Sequence, residues 1–161
     1  MEVQLTRQDS TLLRASFDVA RRAAEKGNHP FGAILADQEG QILLEAENTV
    51  VTEDDITGHA ETNLVRMIRR ESYETELSNF TMYASSEPCA MCAGAIYWGN
   101  IGRVVFGLSQ ERFYSILGGI REQEALVLHT RDVLDRGGKP IEVIGPALED
   151  EAAQVHEGFW S

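Results

Sequence analysis

The sequence predicts an α/β fold in which helices cover both faces of one sheet. Short apolar runs alternate along the chain with segments of helical periodicity, the pattern of a sheet layered by helices. The 161 residues suit a single domain with a substantial core and are too few for two ordinary ones. An apolar fraction of 43% beside 25% charged residues is that of a soluble globular chain. No internal repeat, linker or low-complexity stretch divides it.

The elements follow in order. Residues 10–26 place Leu12, Leu13, Ala15, Phe17, Val19, Ala20 and Ala23 among charges, which predicts an amphipathic helix. Gly27-Asn28-His29-Pro30 ends it. Residues 31–36 read as a buried strand, Gln38-Glu39-Gly40 as a turn, and residues 41–46 as the second strand of a hairpin. Residues 48–58 are polar and aperiodic, a loop leading to His59. Leu64, Val65 and Ile68 recur at helical spacing in residues 59–68. Residues 80–85 read as a strand, and Pro88 suits the first turn of the helix expected over 89–98, where a missing N–H does no harm. That helix is apolar nearly all round, as a buried one should be. Gly99-Asn100-Ile101-Gly102 breaks it before a strand at 103–106. Residues 112–117 then suggest a short helix, 126–129 and 141–144 short strands, and 146–157 a final acidic helix.

Charge limits the partners. Fourteen basic residues stand against 26 acidic ones, a net charge of −12. A protein that grips a polyanion places Lys and Arg on phosphates, and this chain has no basic block. Arg69-Arg70 reads as an exposed helix face. Long nucleic acid is therefore disfavoured. No apolar run is long enough to span a bilayer. Met1-Glu2-Val3-Gln4 has neither a basic n-region nor an apolar h-region, which predicts no export and a cytoplasmic location.

The two cysteines, Cys89 and Cys92, lie in Pro88-Cys89-Ala90-Met91-Cys92. A disulfide needs an oxidising compartment, and a thioredoxin-like redox pair leaves His59-Ala60-Glu61 unexplained. Zinc explains both. A catalytic zinc site takes three protein ligands and keeps a fourth position open; His59, Cys89 and Cys92 supply three. Cysteines two apart at a helix start reach one ion, and the helix N-terminus favours thiolate. Glu61 is the candidate general acid and base. In a helix interior residues i and i+2 point apart, so His59 and Glu61 converge only if His59 sits at the very start of its helix.

His-x-Glu followed by Pro-Cys-x-x-Cys resembles the cytidine deaminase-like superfamily, over most of the chain from Pro30 to about Leu108. The resemblance implies a three-layer α/β/α sandwich with a central mixed sheet of about five strands. It also implies a Zn2+ cofactor and proton transfer by Glu61 to the ring and to departing ammonia. Pro30-Phe31-Gly32-Ala33 looks like the family strand that floors the pocket, and Asn48 stands where relatives carry a base-contacting Asn. By the same resemblance the backbone N–H of Ala60 faces the base and that of Cys89 supports the attacking oxygen. Residues 55–59 depart from the family's usual Asp-Pro-Thr-Ala-His. Gly94-Ala95-Ile96-Tyr97-Trp98 looks like the guanine deaminases, with Trp98 in the core or at a dimer interface.

The substrate stays open at this level. Residues 101–107 look like the tRNA adenosine deaminases, but 108–113 do not. Guanine deaminases place a functional Asp in that region; the counterpart here is Glu111, which a solvated helix start explains equally well. Phe159-Trp160 ends an acidic segment, and residues 146–161 are expected to close over the pocket, with Trp160 stacking on a base. His29, His129 and His156 show no constellation and receive no role. The expectation is a homodimeric hydrolytic deaminase of a small nucleobase, guanine first. The alternatives are cytosine or another amino-substituted ring (a triazine or a nucleoside), tRNA adenosine, and a zinc-stabilised binding module without turnover.

Overall fold

The structure, a computed structural model, describes residues 5–68, 76–118 and 124–160; Arg69, Arg70 and Met1 to Gln4 lie outside the described residues. Helix α1, Arg7–Glu25, starts three residues before the periodicity suggests. The reason is a capping box: Thr6 Oγ1 accepts from the Asp9 N–H while the Asp9 carboxylate accepts from the Thr6 N–H. Strands β1, Gly32–Ala36, and β2, Ile42–Glu47, form the expected hairpin. Helix α2 is Ala60–Met67, strand β3 is Thr81–Ser86, helix α3 is Ala90–Trp98 and strand β4 is Arg103–Leu108. Helix α4 is Gln110–Ile116, α5 is Thr130–Leu134, β5 is Glu142–Ile144 and α6 is Glu149–Gln154.

The five strands lie in the order β2-β1-β3-β4-β5. The β1 pairings are antiparallel and the β3–β4 and β4–β5 pairings parallel, so the sheet is mixed. Successive strand residues point to opposite faces. Ile34, Tyr83 and Val105 join Phe17 of α1 and Ala152 of α6 in one core. Leu35, Met82 and Val104 join Leu64 of α2, Ile96 of α3 and Leu134 of α5 in the other. This is the three-layer sandwich. Gly32 lets α1 lie close to the sheet: a Cβ there would stand 2.5 Å from Ala20 N and 2.7 Å from Ser16 O.

Three expectations are corrected. Residues 126–129 form no strand; Leu126 and Val127 are exposed, and the Leu128 N–H donates to the Gln110 side chain instead of a neighbouring strand. The last helix spans Glu149–Gln154 and not 146–157, because Leu148 before it is left-handed. Helix α3 buries Cys92, Ala93 and Ile96 but leaves Met91 and Trp98 exposed, so it is not buried all round. Among the described residues no helix is long and apolar enough to cross a membrane.

Because β3 and β4 are parallel, both end at the same edge, Ser86 opposite Leu108, and each feeds directly into a helix. That edge holds the site. At the opposite end a buried ion pair fixes α1 to the sheet. Arg103 grips both Asp9 oxygens at 2.7 and 2.9 Å, and the Tyr83 hydroxyl donates to the same carboxylate at 2.7 Å. Burial by itself raises the Asp9 carboxyl, but Arg103, the Thr6 N–H and Tyr83 more than reverse this and hold it well below the usual carboxylate range.

A carboxyl depressed in the fold contributes stability above its unfolded value, near 3.9, that is lost as pH falls through the lower folded value. Asp9→Asn should therefore lower stability at pH 7 by about 3 kcal/mol, the cost of breaking a buried pair. In denaturant titrations between pH 7 and pH 2, the gap between wild type and variant should narrow as acid is added. A gap that does not change with pH would show that Asp9 contributes no charge-dependent stability.

Candidate active site

The site is assembled from two helix starts and the loops that feed them. His59 is the N-cap of α2, with extended backbone at φ −71° and ψ 149°. The preceding loop is pinned at several points: the Thr49 N–H donates to Gly58 O, and Asn63 Nδ2 reaches back to Glu47 O and Thr49 Oγ1. Asn28 Oδ1 accepts from the N–H groups of Val51 and Thr52. Cys89 is the N-cap of α3, and the Ala93 N–H donates to its carbonyl.

These starts bring three donor atoms together. His59 Nδ1 lies 3.5 Å from Cys89 Sγ and 3.5 Å from Cys92 Sγ. Zinc–sulfur and zinc–nitrogen bonds of about 2.3 and 2.0–2.1 Å at a tetrahedral angle separate S and N by about 3.5 Å, so the donor set fits zinc in both chemistry and spacing. Thr62 Oγ1 adds a contact to Cys92 Sγ at 3.1 Å. The bond from Cys92 and the neighbouring His59 lower the Cys89 thiol to about 4, while Cys92 is pushed up. A divalent cation bound by both sulfurs would displace the proton that Cys92 keeps.

Glu61 lies in the first turn of α2, 5% exposed, on the cavity wall beside this triad. Because His59 is extended and outside the helix proper, the i and i+2 side chains reach the same cavity. Burial, reinforced by the charge on Cys89, raises the Glu61 carboxyl to about 7. A group so placed can both accept and donate a proton near neutral pH.

The cavity measures about 240 Å³. Phe31, Asn48 and Trp160 line it, as expected. Asn48 Oδ1 accepts from the Val50 N–H at 3.1 Å, leaving its Nδ2 as a donor. The Ala60 side chain lies in the core, so that residue meets the site only through its backbone. Glu111 is not among the lining residues: it is exposed, with a carboxylate oxygen 2.7 Å from His129 Nε2. Seven lining residues escaped the sequence reading: His29, Ser86, Glu87, Phe113, Tyr114, Leu117 and Glu124.

The three histidines left without a role all have one in the structure. His29 lines the cavity with its ring 5.3 Å from that of Trp160. His156 is buried and accepts the Trp160 indole N–H on Nδ1 at 3.0 Å; burial lowers it to about 4, so it stays neutral and able to accept. His129 Nδ1 lies 3.0 Å from Glu87 Oε2. For His29 and His129 the partners come from distant elements, so no local pattern signals them, whereas His156 and Trp160 stand only four residues apart.

Residues 6–108 match the family model described as the cytidine and deoxycytidylate deaminase zinc-binding region. The chain is 41% identical over 157 residues to a probable cytosine deaminase of Schizosaccharomyces pombe, covering 98% of this chain and 95% of the relative. It is 38% identical over 101 residues to a tRNA-specific adenosine deaminase of Haemophilus influenzae, covering 63% of this chain and 58% of that protein. Among solved structures, a guanine deaminase from Nitrosomonas europaea shares the fold at a TM-score of 0.77 with 18% identity, covering 98% of this chain and 86% of that one.

Zinc added to metal-free protein at pH 7 should release protons, because Cys92 holds its proton at that pH. A pH-indicator dye in weak buffer reads the release, and metal analysis should find one zinc per chain. Cys92→Ala should bind zinc far more weakly. Retention of full zinc by that variant would remove Cys92 from the ligand set.

Proposed function

The chain belongs to the cytidine and deoxycytidylate deaminase zinc-binding family, and from that premise we propose that its substrate is a small free amino-substituted ring, a nucleobase or close analogue. The reaction class is hydrolytic removal of an amino group from such a ring. The observation that carries the reading is the buried Glu61 carboxylate, aimed into a small aromatic-walled cavity beside the His59–Cys89–Cys92 donor set.

His59, Cys89 and Cys92 would hold a zinc ion, which when bound would supply the Lewis acidity that makes water nucleophilic near neutral pH. Glu61 takes the proton that the attacking water loses and delivers it to the ring nitrogen. It then moves the proton of the newly added hydroxyl to the amine, and as the C–N bond breaks ammonia leaves and the hydroxyl-bearing carbon becomes a carbonyl. Asn48 Nδ2 offers a donor to a carbonyl on the ring edge. Phe31, Phe113 and Trp160 face the ring and exclude bulk water.

The size of the cavity supports a single ring system: at about 240 Å³ it falls below the roughly 300–1,000 Å³ of pockets for drug-sized ligands. Cytosine comes first among the candidates, on the strength of a relative matched over nearly its whole length, and guanine second. Trp160 on the cavity wall supports residues 146–161 as a lid over the chain's own pocket. The partial likeness to a tRNA-specific deaminase keeps tRNA in the test, where the net charge of −12 weighs against it.

Ammonia release is the test, with zinc-loaded protein offered cytosine, guanine, adenine, their nucleosides, aminotriazines and tRNA. One free base should turn over, and Glu61→Gln should slow it by about 10²–10⁴-fold while keeping its zinc. Turnover of tRNA alone would overturn the small-substrate reading. Full activity in Glu61→Gln would overturn the mechanism.

A homodimer is the second part of the proposal. The outer face of α3 presents Met91, Gly94, Ala95 and Trp98 at i, i+3, i+4 and i+7, with Trp98 72% exposed. An apolar stripe of this kind suits burial against a second copy. Sedimentation should give a dimer, and Trp98→Asp should shift it to monomer; a wild type that sediments as a monomer would overturn this part.

A further inference from the structure

Ser86 and its neighbour Ser85 end the same strand with opposite fates. Ser85 Oγ accepts the Gly32 N–H at 3.0 Å. Ser86, 7% exposed, lines the cavity, and its Oγ is shielded from solvent and makes no hydrogen bond among the described residues. Strand alternation explains the difference in direction. Met82, Ala84 and Ser86 fall on the face that packs against α2 and α3, and at the end of β3 that face meets the cavity instead of the core.

A buried hydroxyl without a partner is unfavourable, and native proteins seldom keep one. Two polar neighbours on this wall, Glu87 and Asn48, already have partners within the protein. Glu87 Oε1 accepts the Gln110 N–H, and Oε2 accepts the Thr130 N–H beside His129. Asn48 Oδ1 accepts the Val50 N–H. Alanine would fit the Ser86 position without the cost, so the hydroxyl needs a partner that arrives with the cavity's occupant.

We propose that Ser86 is a specificity-determining contact whose hydroxyl, shielded as it stands, turns about its Cα–Cβ bond into the cavity and hydrogen-bonds a polar atom on the ring edge of the bound base. The proposal rests on the nucleobase reading above. Together with the Asn48 Nδ2 donor it gives the cavity two polar contacts away from the reacting carbon. A hydroxyl both donates and accepts, so it serves a ring nitrogen, an N–H or a carbonyl, and it discriminates against a C–H at that place.

The test uses zinc-loaded Glu61→Gln protein, which holds substrate without converting it, with and without Ser86→Ala. Calorimetric titration with cytosine and with guanine should give a dissociation constant about 2–10-fold higher in the double variant for the base that binds. The ligand-free Ser86→Ala single variant should melt at the wild-type temperature or about 2–4 °C above it, since it sheds an unpartnered hydroxyl. Equal affinity in both proteins would overturn the proposal and leave the deaminase reading intact, a resident water then being the partner. A melting temperature below wild type would overturn it too, because the hydroxyl would then have a structural bond. Failure of both bases to bind either protein would overturn the proposal together with the base reading, and silence in the ammonia assay identifies that case separately.

Discussion

Glu87 sits at the junction of β3 and the turn that delivers Cys89, and its carboxylate ties together the parts of the chain that surround the site. Its oxygens accept from the backbone N–H groups of Gln110 and Thr130 and from His129 Nδ1, drawing in the starts of α4 and α5. The next residue continues the pattern. Pro88 O accepts from Gln110 Nε2 at 3.3 Å and Thr130 Oγ1 at 2.7 Å, and Gln110 also brackets Leu128 through its N–H and its carbonyl. The residue before Cys89 is thus held by donors from two elements. A site that needs three donor atoms about 3.5 Å apart depends on such support.

Electrostatics separates the buried carboxylates by role. Asp9 is held far down by a guanidinium gripping both oxygens and serves only the fold. Glu61 has no cation bonded to it in this way; burial and the nearby Cys89 push it up to about 7, where it can cycle a proton. The same residue type thus has opposite properties at two ends of one sheet. What differs is the neighbour set, and neighbours are a product of topology.

That difference explains what the sequence made legible. His59, Glu61, Cys89 and Cys92 stand in two short windows, and their chemistry follows from spacing and helix starts alone. The hairpin and α1 to β4 were equally readable, because each carries its own periodicity. The rest was hidden by distance. Glu87 and Thr130 are 43 residues apart, so no local pattern announces their bond. Residues 126–129 are β-prone by composition yet form no strand, since a side-chain amide satisfies Leu128. Glu111 was read as a substrate contact from its place in the chain, but α4 turns it outward to His129. Ser86 lies one residue beyond the strand that the sequence suggests at 80–85; only the alternation of β3 against the helix layer places it at the cavity.

Trp160 lies outside any helix or strand. It is fixed instead by an N–H bond to His156 and by ring contacts with Phe31, Phe113 and His29. The bond requires a bare Nδ1, and burial, which brings His156 down to about 4, keeps it bare throughout the neutral range. The wall that Trp160 makes in the cavity of Glu61 supports the proposal of a small substrate, and the net charge of −12 weighs the same way: a base carried on a polymer would bring phosphates toward that charge, and a free ring would not.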